Sequence, residues 1–351
     1  MLLYIKGVYM KYKIQSTEKN TGLGADQETR ALLYLLNDRE DSNQFHWFVI
    51  DFFNDVTGIN NSCTYSIDVQ AKASKDIGAK QLGSYSVTLF KNFCSCLDFN
   101  IYILFVGGVG ARVRTDKTKS IFKYEDMLAT AQDSFKEGLT EAAKSVGYVD
   151  NETVTDDNIE KFLKQLIIVV NKDTKQEIIK RIAKLGQTNI NDEKLISIFN
   201  EIRDKQSAFK NNSLEGVEIE KMSDFLPYKK YLTAENVSNL ILHRLINYDF
   251  DREIPNEFNE IVQRFEYDLR ADIVKQSKEA VARVLFDKNN AKNFWNLFSV
   301  VRKTIEENGN SSIDVIFNKI DTSLLENVPA LDVLSAKFFI ALIKEGFKND
   351  N

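Results

Sequence analysis

Residues 65–74 read YSIDVQAKAS, and the alternation in this stretch raises a chemical question. A β-strand sends successive side chains to opposite faces. Ile67, Val69 and Ala71 therefore share one face, and Asp68, Gln70 and Lys72 share the other. A carboxylate, an amide and an ammonium in one row are ordinary on a solvated face. In a cleft they form a reaction site, because burying the amide alone without a partner costs roughly 2–7 kcal/mol.

The upstream sequence bears on the choice. FHWFVIDFF (Phe45–Phe53) is aromatic and β-branched, the composition of a mostly buried strand. Continued in the same register, it sets Asp51, Phe53 and Asp55 on one face, with Asp55 at the strand's end in NDVTG. The polar segment INNSCT then separates Asp55 from YSIDVQAKA, which suits two adjacent antiparallel strands and brings Asp55, Gln70 and Lys72 to one end of a sheet. A carboxylate and an amide oxygen suit Mg²⁺, with waters and a phosphate completing the octahedron. A lysine beside them orients or deprotonates the attacking water, or stabilises charge on the phosphate. The face with Asp68, Gln70 and Lys72 is thus expected to line a metal-dependent phosphodiester cleft, with Asp68 facing solvent or lying behind the reacting groups.

Around this pair the chain has two grammars. ADQETRALLYLLND (Ala25–Asp38) has helical spacing, SVTLFKNFCSCL (Ser86–Leu97) reads as a helix and NIYILFVGG (Asn100–Gly108) as a buried strand ending on glycines. Helix, strand, strand, helix, strand is the order of an α/β core over residues 1–120. From Phe122 onward, runs such as IEKFLKQLIIVV, EKLISIFNEIRDK and ALDVLSAKFFIALIKEGF have helical spacing and charged outer faces. Residues 121–351 are therefore expected to be all helical.

The pattern of a helix, then an aspartate, then (D/E/Q)-x-K resembles the PD-(D/E)xK nuclease superfamily, with QAK at 70–72 in the place of its Q-x-K variant. More narrowly, GLGADQETRALLYLL, VIDFFNDVTG and DVQAKAS are similar to the double-stranded DNA nuclease domain that opens bacterial anti-phage effectors, including endonucleases of cyclic-oligonucleotide (CBASS) signalling. The resemblance covers roughly residues 20–110. It implies a restriction-endonuclease-like α/β/α core, with Gln27 as the helix contribution, Asp51 as the upstream acid and Asp55, Gln70 and Lys72 as the centre. Asp51, Asp55 and Gln70 would then hold Mg²⁺ or Mn²⁺, and Asp55, Gln70, Lys72 and Gln27 would carry catalysis. On charge alone, Glu28 competes evenly with Gln27. The chain departs from the family pattern at Asn54, where an acid is frequent, and at Ala71, where a β-branched residue is usual.

The remaining signals set limits. Hydrophobic residues are 43% and charged residues 28%, the balance of a globular chain, and no window approaches 18 uninterrupted apolar residues. MLLYIKGVYM is too short, and too broken by Lys6, for a signal-peptide core, and three cysteines without an export signal point to the cytoplasm. The net charge of −5 excludes a generally basic coat, yet Arg112, Arg114, Lys117, Lys119 and Lys123 face only Asp116 in one segment. The first four are expected to touch DNA backbone phosphates. NKID at 318–321 has no phosphate loop to accompany it, and His46 and His243 are isolated. The expected function is a metal-dependent endonuclease in anti-phage defence. Its helical part would sense a trigger, meet a defence partner protein or drive homo-oligomerisation through FWNLF and AKFFIALI, runs that could equally fill that part's own core. A non-catalytic scaffold keeping the fold, or a sequence-specific restriction endonuclease, are the alternatives.

Overall fold

A long β-branched run inside the second half, LIIVV at 166–170, is where the chain first departs from those expectations. The computed structural model describes residues 12–14, 22–186, 190–211, 214–247, 254–287 and 290–350, and the opening MLLYIKGVYM falls outside them. In chain order they form β1 (Tyr12–Lys13), α1 (Gly22–Leu33, continued by a π-helical turn Tyr34–Asp38), β2 (Phe45–Ile50), β3 (Val56–Asn60), β4 (Ser66–Lys72), α2 (Ala79–Tyr85) and α3 (Val87–Phe93). Next come β5 (Ile101–Val106), β6 (Ile121–Lys123), α4 (Ala129–Ser145), α5 (Asp156–Gln165) and β7 (Leu166–Val170). The rest is α6 (Lys175–Ile182), α7 (Asp192–Ala208), β8 (Glu218–Ile219), β9 (Tyr231–Thr233), α8 (Ala234–Ile246), α9 (Asn256–Val262), α10 (Tyr267–Phe286), α11 (Ala291–Asn308), α12 (Ile313–Lys319), α13 (Thr322–Glu326) and α14 (Val333–Asp350). The fold is mixed α/β, with helices at its C-terminal end.

Seven strands make one sheet in the order β6-β7-β5-β4-β3-β2-β9. β4, β5 and β7 run parallel, while β2, β3, β6 and β9 join antiparallel. IEKFLKQLIIVV therefore splits into α5 and β7, and β6, β7 and β9 bring chain beyond residue 120 into the sheet. The cause is side-chain shape: Ile167, Ile168, Val169 and Val170 are stiff at χ1 and pack better on a pleated surface than round a helix.

Helices cover both faces of this sheet. Leu35, just past α1, fills the space beside Gly58, and Tyr34 lies on Phe105 at 5.5 Å. These contacts put α1 on the face of Val69 and Ala71. α3 lies on the other face, where Phe90 packs on Phe162 of α5.

The strand read over Phe45–Phe53 stops at Ile50. Asp51 turns the chain with a left-handed φ of 47°, which aspartate tolerates better than most residues. Asp55 therefore precedes β3 rather than ending β2. Phe52 and Phe53 of the intervening bend are buried, and the Phe53 carbonyl accepts from Tyr12 Oη (2.8 Å) and Asn92 Nδ2 (3.0 Å). The antiparallel partner of β4 across INNSCT is thus β3, a separate strand that starts after Asp55, and not the Phe45–Phe53 strand, which pairs with β3 and β9.

The chain divides into two compact units, one of residues up to Asp173 with Asn200–Thr233, the other of Thr174–Phe199 with Ala234–Asn351. In the second unit α14 packs against α8, α9, α10, α11 and α12. FWNLF and AKFFIALI fill this unit's own core: Phe294 and Phe298 pack on Phe339, and Phe258 on Phe338. Of the two roles open to these runs, the buried rings show the core one. Among the described residues no helix is long and apolar enough to cross a membrane.

In the first unit α2 and α4 meet backbone on backbone. A Cβ at Gly138 would stand 2.0 Å from the Lys80 carbonyl oxygen, which no side-chain rotation relieves. Gly138→Ala is expected to cost about 1–3 kcal/mol as an overpacking substitution, read as a lower urea midpoint at unchanged slope.

Candidate active site

Loops after the parallel strands β4, β5 and β7 meet at the sheet's carboxyl edge, the usual place for ligands in such sheets. The loop after β4 is stitched to the glycines after β5. Gly107 N donates to Lys72 O (3.0 Å), Ile77 N to Gly108 O (3.3 Å) and Gly110 N to Ile77 O (2.9 Å). At Gly107 a Cβ would lie 2.7 Å from the Ala73 carbonyl oxygen, so only glycine admits this approach. The GGVGAR segment thus works as a strand-to-loop turn that braces the backbone of Lys72.

Asp55 stands where the β3–β4 ladder ends. Its Oδ2 accepts from Ala71 N (2.7 Å) and from Gln70 Nε2 (2.6 Å). The other end of the Gln70 amide, Oε1, accepts from Thr88 Oγ1 at 2.5 Å. Gln70 is 2% exposed, so both ends of its amide are held inside the protein. Lys72, two residues on and half-buried, has its Nζ 5.5 Å from the Tyr85 ring centre. The structure therefore brings Asp55, Gln70 and Lys72 to one edge.

Beneath them sits a buried acid. Asp68 is fully buried, and its carboxylate accepts from Asn92 Nδ2 (2.7 Å), Thr57 Oγ1 (3.2 Å) and Asn54 Nδ2 (3.3 Å). Burial pushes its pKa up to about 6 against the pull of these donors. Burial likewise lowers nearby Lys91 to about 8, while the charge of Asp68 resists that shift. Lys91 Nζ donates to Lys13 O (3.0 Å) and lies over the Tyr12 ring at 4.2 Å. Asp68 is thus not a solvent residue, and it lies behind the candidate groups. It anchors the bend carrying Asp55, through Asn54 and Asn92.

The other sequence-derived residues are more scattered. Asp51 lies on the bend, with Lys230 Nζ 3.6 Å from its Oδ2 and donating to its carbonyl at 3.2 Å. Lys230 is 4% exposed and arrives from the residue before β9. Gln27 is 4% exposed in α1, with no hydrogen-bond partner for its Nε2 among the described residues. It belongs to the helical layer on the sheet face opposite Gln70. Glu28 is also buried, and ion-pairs with Lys210. In the basic segment, Arg114 donates to the Lys119 carbonyl and lies 5.3 Å from the Phe122 ring, while Lys119 pairs with Asp126 at 2.9 Å. Arg112 and Lys117 are exposed. Thr88, Asn92 and Lys230 were not found from sequence. They lie 18, 24 and 179 positions from their partners, and no spacing rule connects them.

Among the described residues no group of three His, Cys, Asp or Glu is placed to hold a metal ion. The donor set nevertheless fits a magnesium ion of the sparsely liganded kind. Such ions take one or two carboxylates and fill their remaining positions with water and substrate phosphate. Asp55 would supply the carboxylate, and Gln70 would supply an amide oxygen if its amide turned end for end. That turn is chemically open because the Thr88 hydroxyl, which donates to the oxygen, can equally accept from the nitrogen.

Asp68 makes the fold pH-dependent. Its folded pKa, about 6, lies above the ordinary 3.8. The stability linked to its protonation is thus full below about 3.8 and lost as pH rises through about 6. Asp68→Asn keeps an acceptor for Asn92 and can donate to Thr57. Relative to wild type, the variant is expected to gain stability between pH 4 and 7, by on the order of 3 kcal/mol. Urea titrations of both proteins across that range check this, and a flat difference would exclude a titrating Asp68.

The chain matches no family model, no curated protein and no solved structure.

Proposed function

We propose that the protein is a Mg²⁺- or Mn²⁺-dependent double-stranded DNA endonuclease with a restriction-endonuclease-like core, acting in the cytoplasm in anti-phage defence. The observation that carries this is the convergence of Asp55, Gln70 and Lys72 at the carboxyl edge, with Asp55 and Gln70 2.6 Å apart. When bound, the cation polarises the scissile phosphate and lowers the pKa of a coordinated water. Asp55 and Gln70 would hold it. Lys72, steadied by Tyr85, orients the attacking water or the phosphate and stabilises the charge that builds on its oxygens. Arg112 and Lys117 bind backbone phosphates, which fixes the duplex without reading its sequence. Cutting both strands calls for two centres, which a symmetric homo-oligomer supplies. The helical unit takes the trigger or the defence partner protein.

Asp55 cannot serve as a clean probe of this chemistry. Asp55→Ala leaves the Ala71 N–H and the Gln70 amide short of an acceptor, a loss of about 1–3 kcal/mol. Lys72→Ala is the better variant. With supercoiled plasmid and Mg²⁺, wild type is expected to linearise DNA, EDTA to stop it, and Lys72→Ala to lower the rate roughly 10²- to 10⁴-fold with an unchanged thermal midpoint. Wild-type rates in a folded Lys72→Ala protein would remove Lys72 from the centre. No cleavage by wild type under any divalent cation would favour a scaffold, and discrete fragments a restriction enzyme.

A further inference from the structure

The cations at the carboxyl edge are not confined to the segment after β5. Lys75 lies in the loop after β4, with its Cα 3.4 Å from where a Gly108 Cβ would be. Lys172 lies just past β7, whose tail is bound to β5 by Asn171 N donating to Val106 O at 3.0 Å. Arg112 and Lys117 follow β5 between them. All four side chains are exposed, and none forms an ion pair among the described residues. The two cations that the sequence pattern would add, Arg114 and Lys119, are instead turned onto Phe122 and Asp126.

Two acids of the same loops have local donors. Asp116 Oδ1 accepts from Thr118 N (2.8 Å) and Thr118 Oγ1 (2.6 Å), and Asp173 Oδ2 accepts from Asn171 Nδ2 (3.0 Å). Asp76 sits with a left-handed φ of 57° against Gly110. On these loops four exposed cations, Lys75, Arg112, Lys117 and Lys172, therefore outnumber the two exposed acids, Asp76 and Asp116, despite the chain's net charge of −5.

We infer that the loops after β4, β5 and β7 form one rim for the phosphate backbone of duplex DNA, with Lys75 and Lys172 as contacts on either side of Arg112 and Lys117. β4, β5 and β7 are adjacent in the sheet. At about 4.8 Å between strands, their ends span about 10 Å, room for two or three successive phosphates at about 3.4 Å of helix axis each. Strand ends braced by backbone bonds hold these cations at fixed spacing. This rim deepens the nuclease reading and rests on it, because it supplies the duplex to the edge that bears Lys72.

The test is fluorescence anisotropy of the full chain with a labelled 25-base-pair duplex in EDTA, so that no cleavage occurs, across about 50–200 mM salt. The double variant Lys75→Gln/Lys172→Gln is expected to reduce the slope of log affinity against log salt by about 2, near 0.9 for each phosphate no longer neutralised. Lys164→Gln is the control. Lys164 is exposed, but it precedes β7 at the opposite, amino edge of the sheet, and its slope is expected to equal that of wild type. A wild-type slope in the double variant, or an equal fall in the control, would overturn the rim. Either result leaves the nuclease reading standing if plasmid cleavage still depends on Lys72. Absence of any duplex binding by the wild type would overturn both.

Discussion

A single carboxylate oxygen holds the end of the β3–β4 pair together. Beyond Val56 and Val69 the backbone ladder stops, and Asp55 Oδ2 takes its place by accepting from the Ala71 N–H and the Gln70 amide. Bonds from N–H groups to a charged oxygen are stronger than those to a neutral one. This pair therefore sets the path of the bend from Asp51 to Asp55, and the plane of the Gln70 amide follows from it. Thr88 then secures the far end of that amide. Sheet geometry and candidate chemistry share the same atoms here.

Beneath the edge, Asp68 poses the opposite problem. A carboxylate with no accessible surface is costly unless donors surround it. Asn92, Asn54 and Thr57 supply them, yet burial still prevails and raises its pKa. Asn92 bonds both this acid and the Phe53 carbonyl, so the buried network is tied to the Asp55 bend. This network lies beneath the candidate edge rather than on it, and Asn92 Oδ1 has no hydrogen-bond partner among the described residues.

Much of the candidate centre was legible because it is local. Gln70 and Lys72 lie on one strand, and Asp55 sits just before the adjoining one, fifteen residues ahead of Gln70, so short spacing alone brings the three close. The break after Ile50 was not legible. VIDFF reads as a continuous buried strand, and the bend is held by contacts from far along the chain: Tyr12 and Asn92 on Phe53, Tyr228 on Phe52 and Lys230 on Asp51. β7 was hidden for a related reason, since LIIVV directly follows a helix and a fully buried parallel strand carries no alternation. The aromatic runs of the second unit were ambiguous in the same way. An apolar cluster on a helix looks alike whether it meets its own unit or a partner.

By itself the sequence determined what local periodicity and residue chemistry can carry: an α/β region, helices toward the C-terminus and an acid, an amide and an ammonium grouped on two adjacent strands. Tertiary structure alone decided which of the polar residues face one another. Asp68 became a buried anchor and Asp51 a partner of Lys230, while Gln27 went to the opposite layer and Arg114 and Lys119 turned onto Phe122 and Asp126. Lys75 and Lys172 met at one edge because β4 and β7 flank β5. The reason is that burial and contact between residues up to 179 positions apart depend on how the sheet closes, and no local pattern encodes that.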